Sequence, residues 1–322
     1  MNVIETNNLT KKYNGFVAVD NLNLQVEKGE IFGLLGPNGA GKTTILLTLA
    51  TLKKPTSGTA KINGFDIIQE PSQVRKSIGI VFQDPSSDDI LTGYENLKLH
   101  GMLYNMPVDL REKRIKEVLK LVNLTDRKND LVKKYSGGMR RRLELARGLM
   151  HHPKILFLDE PTLGLDPQSR EYIWKYIKNL SRKEKISIII TTHYMEEADN
   201  LCNRLAIIDA GKIVALDSPA KLKMIIGGDI VAIKIQNPKL EKIKKLEFVK
   251  KVEIKNDLVY LTVTNANENL AQILQIIGKV GSVEIHSPTL NDVFLHYTGK
   301  EIRGESPEGG WLERAINFQT KR

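Results

Sequence analysis

The chain has 322 residues, 41% of them hydrophobic and 27% charged, which is enough apolar material for two cores and excludes a disordered chain. No run reaches the ~18 uninterrupted apolar residues of a membrane span. The first residues, Met-Asn-Val-Ile-Glu-Thr, lack the layout of a signal peptide, and the single Cys202 rules out an internal disulfide framework, so a reducing cytosol is expected. The net charge of +10 admits nucleic acid or an anionic membrane surface as partner, but cations spread this widely read as a solvated surface.

Residues 3–26 read as antiparallel strands. Leu22, Leu24 and Val26 alternate with Asn23 and Gln25, and Asn14-Gly15 signals a turn. Tyr13 stands directly before that turn; its ring suits either the core or a stacking face for a base, and position alone favours the core. Ile31 to Leu35 is a short buried-type strand. It runs into Gly36-Pro37-Asn38-Gly39-Ala40-Gly41-Lys42-Thr43-Thr44, which fits the phosphate-cradling P-loop pattern, and a helix opens behind it. The glycines let backbone N–H groups curl around phosphate oxygens, and the helix N-terminus adds its positive end. Lys42 can reach the β- and γ-phosphates, and the Thr43 hydroxyl can ligate Mg²⁺. A mere glycine turn does not require Lys-Thr in that place. The chain is therefore expected to bind a nucleoside triphosphate.

Three further apolar runs end in polar residues: Ile78 to Phe82 in Gln83, Ile155 to Leu158 in Asp159-Glu160, and Ile186 to Ile190 in Thr191-Thr192-His193. In an open parallel α/β sheet, ligands bind beyond the carboxyl ends of the strands. Four strand ends carrying phosphate-handling chemistry are thus expected to converge. Between them lies a helical insert, with helices over 94–104 and 109–121 separated at Pro107 and Asp109 as N-cap of the second. A helix then opens at Ser136-Gly137-Gly138-Met139, with Met139, Leu143, Ala146 and Met150 on one face and Arg140, Arg141 and Arg142 on its solvated side. A helix over 195–204, a strand over 205–208 and a helix from Ser218-Pro219 close this domain.

Gly227-Gly228 reads as a linker. Beyond it come a strand over 230–235, a basic helix over 238–246, a hairpin over 251–264 turning at Asn256-Asp257, a helix over 270–278 and a strand over 282–286. That β-α-β-β-α-β order is the split ferredoxin-like unit. A helix over 291–297 follows, then a loosely held tail. RNA-binding sheets stack bases on aromatics; this hairpin offers only Tyr260, so no nucleic acid is expected.

With these residues assembled, the chain resembles the nucleotide-binding subunit of ABC transporters over residues 1 to about 222. It carries the P-loop, the Gln after a strand, the Ser-Gly-Gly signature, the Asp-Glu strand end, Leu163-Gly164-Leu165-Asp166 and the switch His. Within that family it is similar to the daunorubicin-resistance type of exporter ATPase, and Ser287 to Phe294 is similar to the end of that type's C-terminal domain. The resemblance implies an α/β fold: a P-loop ABC ATPase cassette with a mixed sheet core, an antiparallel β part and a helical insert at about 90–150, followed by a small α+β ferredoxin-like domain. The implied domains are 1–226 and 227–300, with a tail over 301–322.

The resemblance also implies roles. ATP would bind at Gly36, Asn38, Gly39, Gly41, Lys42, Thr43 and Thr44, with Tyr13 stacking on adenine, against the reading from position. Mg²⁺ would be held by Thr43, Gln83 and, through water, Asp159. Glu160 would be the general base, with Gln83 and His193 sensing the γ-phosphate. Ser136, Gly138 and Asp166 would face the nucleotide of a second copy in a head-to-tail homodimer, and a separate membrane permease would hold the pair on the inner face of the membrane. Tyr135 and Met139 depart from the usual Leu-Ser-Gly-Gly-Gln. The implied function is ATP hydrolysis powering transport, with export expected. The rivals are a soluble ATPase of this type acting on nucleic acid or ribosomes, which generally has two cassettes or a long coiled-coil insert, and a non-hydrolysing regulator, against which Glu160 and His193 argue.

Overall fold

The computed structural model describes residues 1–234, 240–255, 258–278 and 280–299. The hairpin turn expected at Asn256-Asp257, the helix start at Pro238 and the tail over 301–322 lie outside the described residues. The chain divides into two compact units, Met1–Leu216 and a second beginning at Asp217.

The first unit is built on two sheets. One has six strands in the order Lys212–Asp217, Arg204–Asp209, Ile31–Leu35, Ser187–Thr192, Ile155–Asp159, Ile78–Val81. The last five run parallel. Ile31–Leu35, Ile155–Asp159 and Ser187–Thr192 are buried at every position, as strands covered on both faces must be. Their register aligns the carboxyl ends: Leu35 lies opposite Thr192, Thr191 opposite Asp159, and Leu158 opposite Val81.

The second sheet is antiparallel and joins Asn2–Tyr13 to Phe16–Leu22, Gln25–Glu27 and Ser57–Ile62. Asn14 and Gly15 both have positive φ (43° and 85°), which the tight turn between Tyr13 and Phe16 requires. The helix Lys42–Leu49 ties the two sheets together. Its Ile45, Leu46 and Leu49 join one cluster with Ile4, Leu9 and Ile62 of the antiparallel sheet and Phe32, Phe157 and Ile189 of the parallel one. Each such side chain contributes about 1.5–3 kcal/mol by burial, so the phosphate loop at the head of this helix is fixed from both sides.

The helical insert holds Gly93–Leu103 and Val108–Leu121. The first is closed by a capping box between Thr92 and Glu95. Asp109 is not the N-cap of the second: Pro107 holds that place with extended backbone (φ −54°, ψ 147°), and Asp109 falls in the first turn, where its charge favours the positive helix end. The helix expected to reach Arg204 stops at Leu201, because Arg204 opens the next strand and pairs with buried Glu30 (Nε to Oε1 2.7 Å).

The second unit contains the strands Asp229–Lys234, Val249–Lys255, Leu258–Val263 and Ser282–His286 in the order second, third, first, fourth, every pairing antiparallel. With the helices Leu240–Ile243 and Ala266–Ile277 this is the expected ferredoxin-like unit. Val231, Ile233, Val259, Leu261 and Ile273 centre its core. The division between units falls ahead of Gly227-Gly228, so the helix Pro219–Met224, with buried Leu222, lies against Leu290–Thr298 in this unit. Nor is Gly228 a free joint. A Cβ there would meet the Val263 carbonyl oxygen at 2.5 Å, so the glycine is needed where two backbones approach closely.

Candidate active site

At the carboxyl edge of the parallel sheet, the strand Ile31–Leu35 turns into the glycine loop. A Cβ at Gly36 would sit 2.3 Å from the Ile208 carbonyl oxygen, and one at Gly41 would sit 2.3 Å from that of Ala18. Gly41 also has φ 104° at the N-cap of the helix Lys42–Leu49. Both positions therefore exclude a side chain. Asn38 and Gly39 are exposed at the crest, Thr43 is exposed and Thr44 half-buried.

Lys42 is buried and folds back over the loop. Its Nζ donates to the carbonyls of Gly36 (2.8 Å) and Pro37 (3.0 Å) and lies 3.6 Å from Glu160 Oε1. Burial lowers its pKa, opposed by the charges of Glu160 and Asp159.

Two strands over, Asp159 is buried, and its Oδ1 accepts from Thr43 Oγ1 (3.1 Å) and Thr191 Oγ1 (2.5 Å). Glu160 has left-handed backbone (φ 45°), and its N–H bonds to both the carbonyl (3.1 Å) and the hydroxyl (3.0 Å) of Thr191. That turn swings the carboxylate toward Lys42 and to 3.1 Å from His193 Nδ1. Burial pulls the Glu160 carboxyl upward, but the hydrogen bond and charge of His193 and the charge of Lys42 outweigh it, holding the group below the ordinary carboxylate value. Four residues called from three strand ends, Lys42, Asp159, Glu160 and His193, are thus one cluster.

The other expected site residues lie apart from it. Gln83 is exposed at the end of its strand. Ser136 caps the helix Gly137–Gly148 by accepting from Met139 N (3.3 Å), and Asp166 caps Pro167–Glu184 by accepting from Ser169 N (2.9 Å). A Cβ at Gly138 would lie 2.9 Å from Ser169 Oγ, so these two helix starts touch. Tyr13 does not enter the core. At the hairpin tip it is 38% exposed, with Lys11 Nζ 4.9 Å from the ring centroid.

The arginine run is the clearest correction. Arg142 is held on the insert through the carbonyls of Val122 (3.2 Å) and Asn123 (3.1 Å), and Arg140 pairs with Asp89. Arg141 is not on a solvated side but 6% exposed, with its guanidinium among backbone carbonyls behind the site. Sequence reading also missed Thr191, although Thr191-Thr192-His193 was in view, and buried Glu197. Burial raises the pKa of Glu197; its Oε1 accepts from Thr162 Oγ1 (2.6 Å), two residues beyond Glu160, and from Trp174 Nε1 (3.1 Å).

A glycine cradle at a helix N-terminus, faced by an ionised carboxylate and a hydroxyl–carboxylate pair, defines a P-loop nucleoside-triphosphate hydrolase. The profile of the ABC transporter family matches residues 19–163, and that of the C-terminal domain of DrrA1-3-like ATP-binding proteins matches residues 218–298. The chain is 37% identical over 300 residues to the daunorubicin resistance ATP-binding protein DrrA3 of Streptomyces coeruleorubidus (91% of this chain, 95% of the relative), and 39% over 305 residues to a Nod factor export ATP-binding protein I of Cupriavidus metallidurans (94% and 99%). The chain belongs to the ABC transporter family, as its ATP-binding and ATP-hydrolysing subunit. A dimeric ATP-binding cassette solved in a post-hydrolysis state with ADP and Pi superposes with a TM-score of 0.61 at 29% identity, covering 67% of this chain and 98% of that one.

Proposed function

We propose that the cluster hydrolyses ATP with Glu160 as general base, and that closing and reopening of a head-to-tail homodimer drives export through a separate membrane permease. The observation that carries this reading is the Glu160 carboxyl group, held 3.6 Å from Lys42 Nζ and 3.1 Å from His193 Nδ1 at the strand edge. A carboxylate so placed can take a proton from water attacking the γ-phosphate. Phosphoryl transfer otherwise needs positioning and charge neutralisation. Lys42, released from the loop carbonyls, supplies that charge, the loop N–H groups hold the phosphates, and His193 contacts the γ-phosphate.

Mg²⁺ fits the residues present. A hydroxyl and a carboxylate oxygen 3.1 Å apart, Thr43 and Asp159, are hard donors of the kind it takes, and among the described residues no cluster of three or more His, Cys, Asp or Glu offers a full protein cage. When bound, the ion would neutralise developing phosphate charge, with Gln83 as a further oxygen ligand. Tyr13, exposed at the tip of the hairpin between Asn2–Tyr13 and Phe16–Leu22, is the surface for adenine.

Ser136 and Asp166 stand exposed and Gly138 half-buried, apart from Lys42, as expected of groups that serve the nucleotide of a second copy. Among the described residues no helix is long and apolar enough to cross a membrane. In this reading a separate permease provides the membrane path and holds the pair at the inner face. The names of relatives, for daunorubicin resistance, Nod factor export and linearmycin resistance, support export. The unit from Asp217 on contributes none of the phosphate-handling residues and acts through contacts.

The test is size-exclusion chromatography of Glu160→Gln with Mg-ATP. A stable dimer that forms with ATP and not with ADP is expected; a monomer under saturating ATP would contradict the closing step.

A further inference from the structure

Arg141 lies in the second turn of the helix Gly137–Gly148, nearly sealed from water. A buried guanidinium must spend its five N–H donors on protein. Here four bonds go to main chain: Nε to the Pro161 carbonyl (2.6 Å), Nη2 to that of Asp159 (3.0 Å), and Nη1 to those of Phe82 (2.5 Å) and Gln83 (3.4 Å). Burial lowers the pKa of the guanidinium, opposed by the charges of Glu144, Glu197 and Asp159 around it.

Two of those carbonyls flank Glu160. One rigid, planar fork pins the peptide that enters Glu160, through the Asp159 carbonyl, and the peptide that leaves Pro161, and between them Glu160 keeps a left-handed backbone that residues other than glycine rarely adopt. The other two carbonyls belong to the strand end that presents Gln83. The same helix holds the following segment as well: Glu144 accepts from Ser86 Oγ (2.9 Å) and Ser87 N (2.8 Å), and Arg147 reaches Ser86 Oγ (2.8 Å).

We propose that Arg141 is a positioning residue: it sets the direction of the Glu160 carboxylate and fastens the Gln83 strand end and the Ser136 helix to the catalytic turn, so that the three move as one piece. The ordinary alternative is a core brace that supports the fold and nothing else. The proposal rests on the reading of Glu160 as general base.

Full-length Arg141→Lys and Arg141→Gln separate the two. Lysine keeps the charge but cannot span carbonyls on both sides of Glu160, and glutamine offers a single amide. Misplacement of a catalytic group by about 1 Å costs on the order of 100-fold. The expected result is kcat lowered about 10-fold in the Lys variant and about 100-fold in the Gln variant, with KM and the dissociation constant for ATP within about 2-fold of wild type. In a Glu160→Gln background, Arg141→Lys should lower the residual rate by much less than its roughly 10-fold effect in the wild type, since it acts chiefly through the base already removed. Unchanged kcat in both variants would overturn the proposal. So would ATP affinity and melting temperature falling together with kcat, which marks a fold brace, or a full additive loss in the double variant. Wild-type turnover in Glu160→Gln alone would instead overturn the underlying reading of the base.

Discussion

Thr191 offers a prediction whose size can be worked from geometry. Its buried hydroxyl donates to Asp159 Oδ1 at 2.5 Å and accepts from Glu160 N at 3.0 Å. Thr191→Val keeps the shape and removes that hydroxyl. The Glu160 N–H retains the Thr191 carbonyl at 3.1 Å, so the loss falls mainly on the Asp159 carboxylate, which keeps only Thr43 Oγ1 at 3.1 Å. A hydrogen bond to a charged group contributes about 1.5–3 kcal/mol, and a value near ~2 kcal/mol suits a carboxylate left with one partner. For a unit of this size that corresponds to a fall of about 4–8 °C in melting temperature. Thr191→Ser keeps the hydroxyl and loses one buried methyl, about 0.8 kcal/mol. Thermal unfolding followed by circular dichroism, with Mg²⁺-dependent ATP turnover on the same samples, should rank wild type above Ser and Ser above Val in both measurements. A Ser variant less stable than the Val variant would refute the reasoning, because methyl packing, not the bond to Asp159, would then be what Thr191 supplies.

Other outcomes follow from the same site. Lys42→Ala removes the cation of the loop and should abolish ATP binding measured by calorimetry while leaving the fold intact. Tyr13→Ala should weaken ATP binding about 5- to 150-fold, using the ~1–3 kcal/mol typical of base–aromatic stacking, and Tyr13→Trp should largely restore it; equal affinities in all three proteins would exclude adenine stacking there. The depressed Glu160 pKa sets a pH dependence. Because the folded value lies below the ordinary 4.5, the stability that Glu160 contributes through its ionisation is complete above that value and is lost as pH falls through the folded one. Denaturant titrations of wild type and Glu160→Gln across that window should therefore converge toward acid; a difference that grows toward acid would reverse the sign.

The parts of this protein legible in its sequence are those whose signal is local. The P-loop announces itself through glycines that backbone approach demands, as Gly36 and Gly41 confirm with carbonyls 2.3 Å from where a Cβ would sit. The strands Ile155–Asp159 and Ser187–Thr192 are buried at every position because both faces are covered, and the polar residues that follow their apolar runs mark the sheet edge. Arg141 was misread because periodicity judges a side chain by its own helix. An arginine is buried when remote carbonyls accept from it, and those carbonyls, from residues 82–83 and 159–161, come from other parts of the chain. Thr191 escaped for a similar reason, since its hydroxyl matters only through the neighbouring strand. Gly227-Gly228 reads as a linker by composition, yet close packing against Val263 explains Gly228.

The central claim, that a carboxylate at the end of Ile155–Asp159 activates water for attack on ATP, is met most directly by inorganic phosphate release from saturating Mg-ATP. Glu160→Gln preserves the size of the side chain and removes its basicity. A general base contributes about 100- to 10,000-fold, so phosphate release by the variant should fall by that factor while ATP remains bound. Release at the wild-type rate, with ATP bound equally well, would contradict the account.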